Sequence, residues 1–233
     1  MSATENHSHH ENSLNIREFH KDTSWVVLGT MVLMMGVSFL SSIYQWGWIS
    51  ISILDYTLAV GLLIFALMRK DHLLQKLMLM GFVAGIAELP IDAFLVDTGT
   101  LVYASDEPMI WRSPVYMPIA WMLVLVQMGY LSFILMRWRG MAVAILGIFL
   151  VGASYIPLYE HLALKADWWY YQNTPMVIGA PYYIILAEGL LCMGIPPIMY
   201  LVSRSSYRLE PLLGLAEAVW MTASTWIAFQ ILG

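Results

Sequence analysis

Several carboxylates lie inside apolar stretches of this sequence, where ionisable side chains are rare. Glu88 and Asp92 are four residues apart and share one face of a helix, and Asp55, Glu160 and Glu188 interrupt three other apolar stretches. A charged side chain deep in a membrane helix costs about 2.5 to 3.5 kcal/mol, so five such acids point to a function. From a rise of about 1.5 Å per residue, we expect all five in the outer half of their helices.

No lysine or arginine lies at that depth to pair with these acids. We therefore expect some of the carboxyls to be protonated at neutral pH, because burial and neighbouring like charges disfavour the charged form. A neutral carboxylic acid beside an ionised one can move protons to and from an apolar substrate. Glu88, Glu188, Asp92, Glu160 and Asp55 are thus the predicted catalytic residues, with Glu88 and Glu188 as acid and base.

Structural roles remain open for some of these acids. Asp92 and Glu160 could be interfacial and water-exposed, and Asp55 could hydrogen-bond a neighbouring helix. Glu217 lies six residues beyond Pro211, where a solvated or capping role near the inner surface is as plausible as chemistry.

The composition indicates the elements that must position the acids. The chain is 60% hydrophobic and 12% charged, whereas a soluble domain averages about 25% charged residues. This is the composition of a multipass membrane protein. The net charge of -5 and the lack of a basic stripe exclude a nucleic-acid partner.

Seven apolar segments are each near the roughly 20 residues that span a hydrocarbon core. They predict an all-α integral membrane protein with a single seven-helix domain over residues 24–233, preceded by a mobile polar tail over 1–23. The predicted helices are 24–44, 48–68, 75–96, 113–137, 140–164, 180–203 and 209–232.

Basic residues set the predicted orientation of these helices. Nine of the 11 lysines and arginines fall on one side of the predicted membrane, and Arg112 and Lys165 fall on the other. The N-terminus is therefore predicted inside and the C-terminus outside. The two long loops, 97–112 and 165–179, are then both outside. Membrane lipids are the expected surroundings, in the inner or plasma membrane if the source is bacterial.

The acids and loops recur as an internal repeat. Asp92 aligns with Glu160 at an offset of 68 residues, and Pro114 aligns with Pro181 at an offset of 67. The copies pair predicted helices 3–4 with helices 5–6. Because two crossings separate the copies, the repeat is parallel and its pseudo-axis is expected along the membrane normal.

The outer loops and their flanking helices are rich in aromatic residues. Such rings form belts at membrane interfaces in many proteins. They can also line a pocket whose π faces stabilise a cationic intermediate. For the second role we predict five substrate-binding residues, which are Tyr103, Trp121, Trp169, Tyr171 and Tyr183.

Other chemistries lack their sequence signals. No lysine lies in the seventh segment to hold a retinal, and His161 is the only histidine within a predicted helix, so a histidine-ligated di-iron centre is excluded. No phosphate-binding glycine loop or serine elbow is present. We expect neither a metal nor a cofactor.

A resemblance supports the same direction. The run from Glu160 to Tyr171, followed by Gly179-Ala180-Pro181, resembles a loop of bacterial carotenoid-modifying membrane enzymes of the carotenoid hydratase and lycopene cyclase type, and Thr98 to Tyr103 resembles it more weakly. Lycopene cyclases carry paired acids soon after the loop proline, whereas here the next acid is Glu188. The seven-helix, acid-bearing plan is also similar to small membrane terpene cyclases.

These observations favour a membrane enzyme that protonates a lipophilic isoprenoid or polyene for cyclisation, hydration or isomerisation. The alternative is a seven-helix binder, sensor or proton-coupled carrier of a small lipophilic ligand. A structural subunit of a larger complex is a third possibility, and it would contain no internal cavity.

Overall fold

The computed structural model describes residues 20–104 and 106–233. Seven helices in this part are long and apolar enough to cross a membrane, so the chain is a multipass integral membrane protein. The helices are α1 (Lys21–Tyr44), α2 (Trp48–Met68), α3 (His72–Asp97), α4 (Met117–Arg139), α5 (Met141–Ala166), α6 (Tyr182–Val202) and α7 (Glu210–Leu232).

Three predicted boundaries are wrong by a few residues. α1 begins at Lys21, so the predicted tail reaches too far, and residues 1–19 of that tail lie outside the described ranges. α3 begins at His72 because the Asp71 side chain accepts a hydrogen bond from the Leu74 amide at 3.0 Å and caps the helix. α4 begins at Met117 instead of residue 113.

The helices run up and down, so the bundle has two ends. We call the end with residues 97–116 and 167–181 the loop side, and the opposite end the turn side. On the turn side, Thr23 donates a hydrogen bond to buried Asp71 at 2.5 Å. On the loop side, the Trp168 indole donates to the Gly47 carbonyl at 2.9 Å, which ties the turn between α1 and α2 to α5.

The prediction of an all-α chain misses short strands on the loop side. β1 (Leu101–Tyr103) follows α3, β4 (Trp169–Tyr171) follows α5, and the two pair antiparallel. Leu101 faces Tyr171 and Tyr103 faces Trp169. The strands therefore hold the two long loops together over the bundle.

Each long loop then forms a hairpin before the next helix. β2 (Met109–Ile110) pairs with β3 (Ser113–Pro114), and β5 (Met176–Val177) pairs with β6 (Ala180–Pro181). Both hairpins lie at the same offset of 67 residues as the aligned prolines. The first explains the late start of α4, because Ser113 and Pro114 belong to a strand.

The buried side chains form two cores. The turn-side core extends from the middle of the bundle to the turn side and is rich in leucine and methionine, including Leu77, Met128 and Met199. The loop-side core is aromatic, with Tyr116, Trp168, Trp169 and Tyr183 among its members.

Two glycines bring helices together at the height of the buried acids. A Cβ at Gly85 would lie 2.5 Å from the Pro118 carbonyl oxygen, so α3 and α4 are in backbone contact there. A Cβ at Gly152 would lie 2.7 Å from the Glu188 carbonyl oxygen, which brings α5 against α6. These positions are also 67 residues apart.

Candidate functional site

A cavity of about 100 Å³ lies on the loop side between α3, α4, α5 and α6, under the β1–β4 strand pair. Four of the five predicted catalytic acids and four of the five predicted aromatic residues line it. They are Glu88, Asp92, Glu160, Glu188, Tyr103, Trp121, Trp169 and Tyr171. The remaining lining is largely aliphatic, and all lining residues belong to the described ranges.

Two of the cavity acids are held by aromatic donors from the strand pair. The Tyr103 hydroxyl lies 2.8 Å from both carboxylate oxygens of Asp92 and donates to them. The Trp169 indole donates to Glu160 Oε2 at 2.5 Å. Because Tyr103 and Trp169 are partners in the strand register, one backbone pairing positions both donors. Asp92 and Glu160 are only 5% and 7% exposed, which is less than a water-exposed interfacial role requires.

The phenols of the strand pair remain donors. Burial raises the pKa of Tyr103 well above its usual value, and the nearby charge of Asp92 raises it further. Burial also raises the pKa of Tyr171, with the charge of Glu160 as the next cause. Both hydroxyl groups therefore stay protonated at any pH at which the protein is folded.

The other two acids have a freer arrangement. One carboxyl oxygen of Glu88 and one of Glu188 are buried and make no hydrogen bond with any residue in the described ranges. The Trp121 side chain lies beside Glu88, and Glu88 is close enough to Asp92 and Glu188 for their charges to act on it. These two carboxyls therefore keep an oxygen available for a proton or a ligand.

The cavity carries acids without bases. Its lining includes no lysine, arginine or histidine among the described residues. Nor does any group of three or more His, Cys, Asp or Glu side chains in residues 20–104 and 106–233 form an arrangement that could hold a metal ion. The site can exchange protons with a ligand, and its aromatic faces can stabilise positive charge.

Two predicted site residues lie outside the cavity. Asp55 is fully buried in α2, and neither of its oxygens has a hydrogen-bond partner in the described part of the chain. Tyr183 is also buried, and its hydroxyl donates to Thr100 Oγ1 at 3.2 Å. Its ring packs edge-on against Tyr171 with centroids 6.4 Å apart, so Tyr183 supports a lining residue from behind.

Sequence reasoning missed other residues at the site. Tyr159 and Thr225 line the cavity, although neither was singled out. Tyr159 directly precedes Glu160 on α5, and Thr225 follows Glu217 by eight residues, close to two helical turns. Glu217 itself is 1% exposed in the turn-side half of α7, which excludes a solvated role.

The fold and site define a class: multipass helical membrane proteins with an acid-lined cavity beneath paired loops. Residues 89–232, more than half of the chain, match the family model described as Domain of unknown function (DUF6989). The chain belongs to this family. No curated protein and no solved structure matches the chain significantly.

Proposed function

We propose that the protein is a membrane enzyme that uses Glu88 and Glu188 as acid and base to transform a lipophilic isoprenoid or polyene. The observation that carries this proposal is the convergence of four carboxyls and four aromatic side chains in one buried cavity lined without a basic residue in the described part of the chain. Asp92 and Glu160, each held by an aromatic donor, adjust the charge around the reacting pair.

The proposed reaction begins with proton transfer to a carbon–carbon double bond. The protonated carboxyl gives its proton to one alkene carbon, the π electrons form the new C–H bond, and the other carbon becomes cationic. The second carboxylate then takes a proton from a neighbouring carbon after isomerisation or ring closure, or from water that has added to the cation. One proton enters and one leaves, so no oxidant is needed.

The aromatic lining supports the cationic step. Trp121, Trp169, Tyr103 and Tyr171 surround the acids, and π faces attract cations by about 0.5 to 2 kcal/mol each. A cavity of about 150 Å³ elsewhere holds one benzene ring. The present cavity would therefore take one reacting end of a long chain, such as a single isoprene unit.

We further propose that the two loop-and-helix units are parallel copies related by a pseudo-twofold axis, with the loop side and the C-terminus outside. The equal spacing of the hairpins and of Gly85 and Gly152 supports the repeat. The strand register also supports it, since Leu101 pairs with Tyr171 and Tyr103 with Trp169, as two copies facing each other would. The bias of basic residues supports the orientation.

The small cavity volume favours a second candidate function. A binder or proton-coupled carrier of a small lipophilic ligand would use the same acids without changing the ligand. Such a protein would retain its ligand unaltered on purification.

Comparison of lipid extracts by mass spectrometry tests the proposal. Extracts of cells with and without the protein are compared, and the Glu88→Gln, Glu188→Gln double variant serves as the inactive control. We expect a product isomeric with its isoprenoid precursor, or heavier by one water, only with the wild-type protein. Identical extracts from all three samples, together with an unaltered ligand on the purified protein, would favour the carrier.

A further inference from the structure

A second group of buried oxygens lies beside the cavity, between α2, α4, α5 and the first long loop. It consists of the carboxyls of Asp55 and Glu107 and the hydroxyls of Tyr116 and Tyr159. None of these oxygens makes a hydrogen bond of normal geometry with another residue in the described ranges. An unsatisfied buried polar group costs about 1 to 3 kcal/mol, so four in one place need a functional explanation.

The four groups are continuous. Glu107 follows β1 in the loop and is 6% exposed, and it approaches the hydroxyl of Tyr116. Tyr116 also lies close enough to Asp55 for the charge of that carboxyl to act on it. Asp55 acts in the same way on Tyr159, whose ring stands 5.9 Å from Trp169 in the cavity wall.

We propose that Glu107, Tyr116, Asp55 and Tyr159 form a proton path that carries protons between the loop-side surface and the cavity acids. This inference rests on the proposed function for its purpose, which is to restore the protonation state of Glu88 and Glu188 between turnovers. It also gives a role to Asp55, which lies too far to the side to line the cavity.

The chemistry of each group suits such a path. A carboxyl accepts a proton on one oxygen and releases another from its second oxygen. A tyrosine hydroxyl passes its own proton on as it receives the next one, so neither group changes after a transfer. Burial raises the pKa of Tyr116, and Glu107 raises it further, so the phenolate is disfavoured and the two transfers at Tyr116 are concerted.

Glu107 is suited to the entrance. Burial raises its pKa to about 7, with Tyr116 and Asp106 as its nearest titratable neighbours. A carboxyl with this pKa exchanges protons in both directions with neutral water. Asp55 and Asp92 are the charged groups that act on Tyr116 from the helices packed against it.

Hydrogen–deuterium exchange of the cavity carboxyls tests the path directly. The full-length protein is placed in phosphatidylcholine vesicles without substrate, transferred to heavy water, and the carboxyl C=O bands are followed by infrared spectroscopy. Bands that disappear in Glu88→Gln and Glu188→Gln identify the cavity acids. The path variants are Tyr116→Phe, Tyr159→Phe and Asp55→Asn, which keep the side-chain shape.

Tyr130→Phe is the matched control. Tyr130 is a fully buried tyrosine of α4, 14 residues from Tyr116 and thus about 21 Å further toward the turn side. We expect the path variants to slow exchange at the cavity acids by about a hundredfold, the lower range of what a positioned proton-transfer group contributes, and the control to leave it unchanged.

Exchange at the wild-type rate in all three path variants would overturn the path, and so would an equal slowing in Tyr130→Phe, which would reveal a general effect of removing a buried hydroxyl. The assay needs no turnover. A slowed exchange in a protein that forms no product would therefore retain the path and reject the enzymatic function.

Discussion

The two cores of the bundle are built from different side chains. The turn-side core consists mainly of leucine, methionine and alanine, whose packing fixes the positions of the helices without polar atoms. The loop-side core consists largely of tyrosine and tryptophan, which fill volume equally well and also bring O–H and N–H donors into it. Only the second kind of core can hold carboxylates, as Tyr103 and Trp169 do for Asp92 and Glu160.

The comparison teaches where stability and chemistry are separated. Lipid is as apolar as leucine, so the turn-side helices are held together by close packing more than by expulsion from water. The loop-side helices instead retain a cavity and unsatisfied oxygens, which cost stability. Mutations in the turn-side core should therefore change stability, and mutations around the cavity should mainly change activity.

Truncation in the turn-side core should give the largest loss of stability. Leu77 lies on α3, the helix that carries Glu88, and is fully buried. Leu77→Ala should lower the free energy of unfolding by about 2 to 5 kcal/mol because it removes packing contacts and leaves a cavity. Unfolding in detergent measures this loss. Unchanged stability, or lost turnover per folded molecule, would break the separation between the two cores.

The contact between α5 and α6 should be the next most sensitive. A Cβ at Gly152 would lie 2.5 Å from Cys192 Sγ and 2.7 Å from the Glu188 carbonyl oxygen, so Gly152→Ala should displace α6 and cost about 1 to 3 kcal/mol. Turnover should fall as well, because Glu188 moves with the helix.

Gly36→Ala is the matched control for that variant. No atom lies within 4 Å of a Cβ at Gly36 on α1, and alanine is the better helix former by about 1 kcal/mol. Thermal unfolding should show destabilisation by the first substitution and slight stabilisation by the second. The same shift in both proteins would mean that the α5–α6 contact is not tight.

The smallest expected effect is a pH dependence from Glu107 at the edge of the loop side. Burial raises the pKa of Glu107 from 4.5 to about 7. The unfolded chain therefore loses this proton at lower pH than the folded protein does. Stability should fall by about 1 kcal/mol as pH rises from roughly 4.5 through 7, since partial solvent contact weakens the full linkage effect.

Glu107→Gln should flatten that part of the curve. The measurement is the difference in unfolding free energy between the two proteins across this pH range. A difference that is constant with pH, or that grows in favour of the wild type at higher pH, would contradict a protonated Glu107 in the folded state.

Much of the fold could be predicted because its main signal is local. Seven apolar stretches of sufficient length predict the seven helices, and their approximate positions are confirmed. The strand pair could not be predicted in this way, because its pairing joins residues near 102 and 170 across the whole of α4 and α5. The N-terminus of α4 was misplaced for the same reason, since Pro114 is a common helix starter that here ends a hairpin.

The candidate site was predicted in part. The depth of Glu88, Asp92, Glu160 and Glu188 follows from their distances to the helix ends, and the structure places all four in one cavity. Depth alone does not give the direction in which a side chain points. Asp55 lies at a similar depth but points away from the cavity toward Tyr116 and Tyr159.

The central claim is that the cavity acids, and not buried acids in general, perform the chemistry. The most direct test measures product formation per folded molecule in Glu88→Gln and Glu188→Gln beside Glu217→Gln, which replaces an equally buried acid outside the cavity. We predict a loss of about a hundredfold or more in each of the first two variants and near-wild-type formation in the third. Full activity in both cavity variants, or an equal loss in Glu217→Gln, would contradict the account.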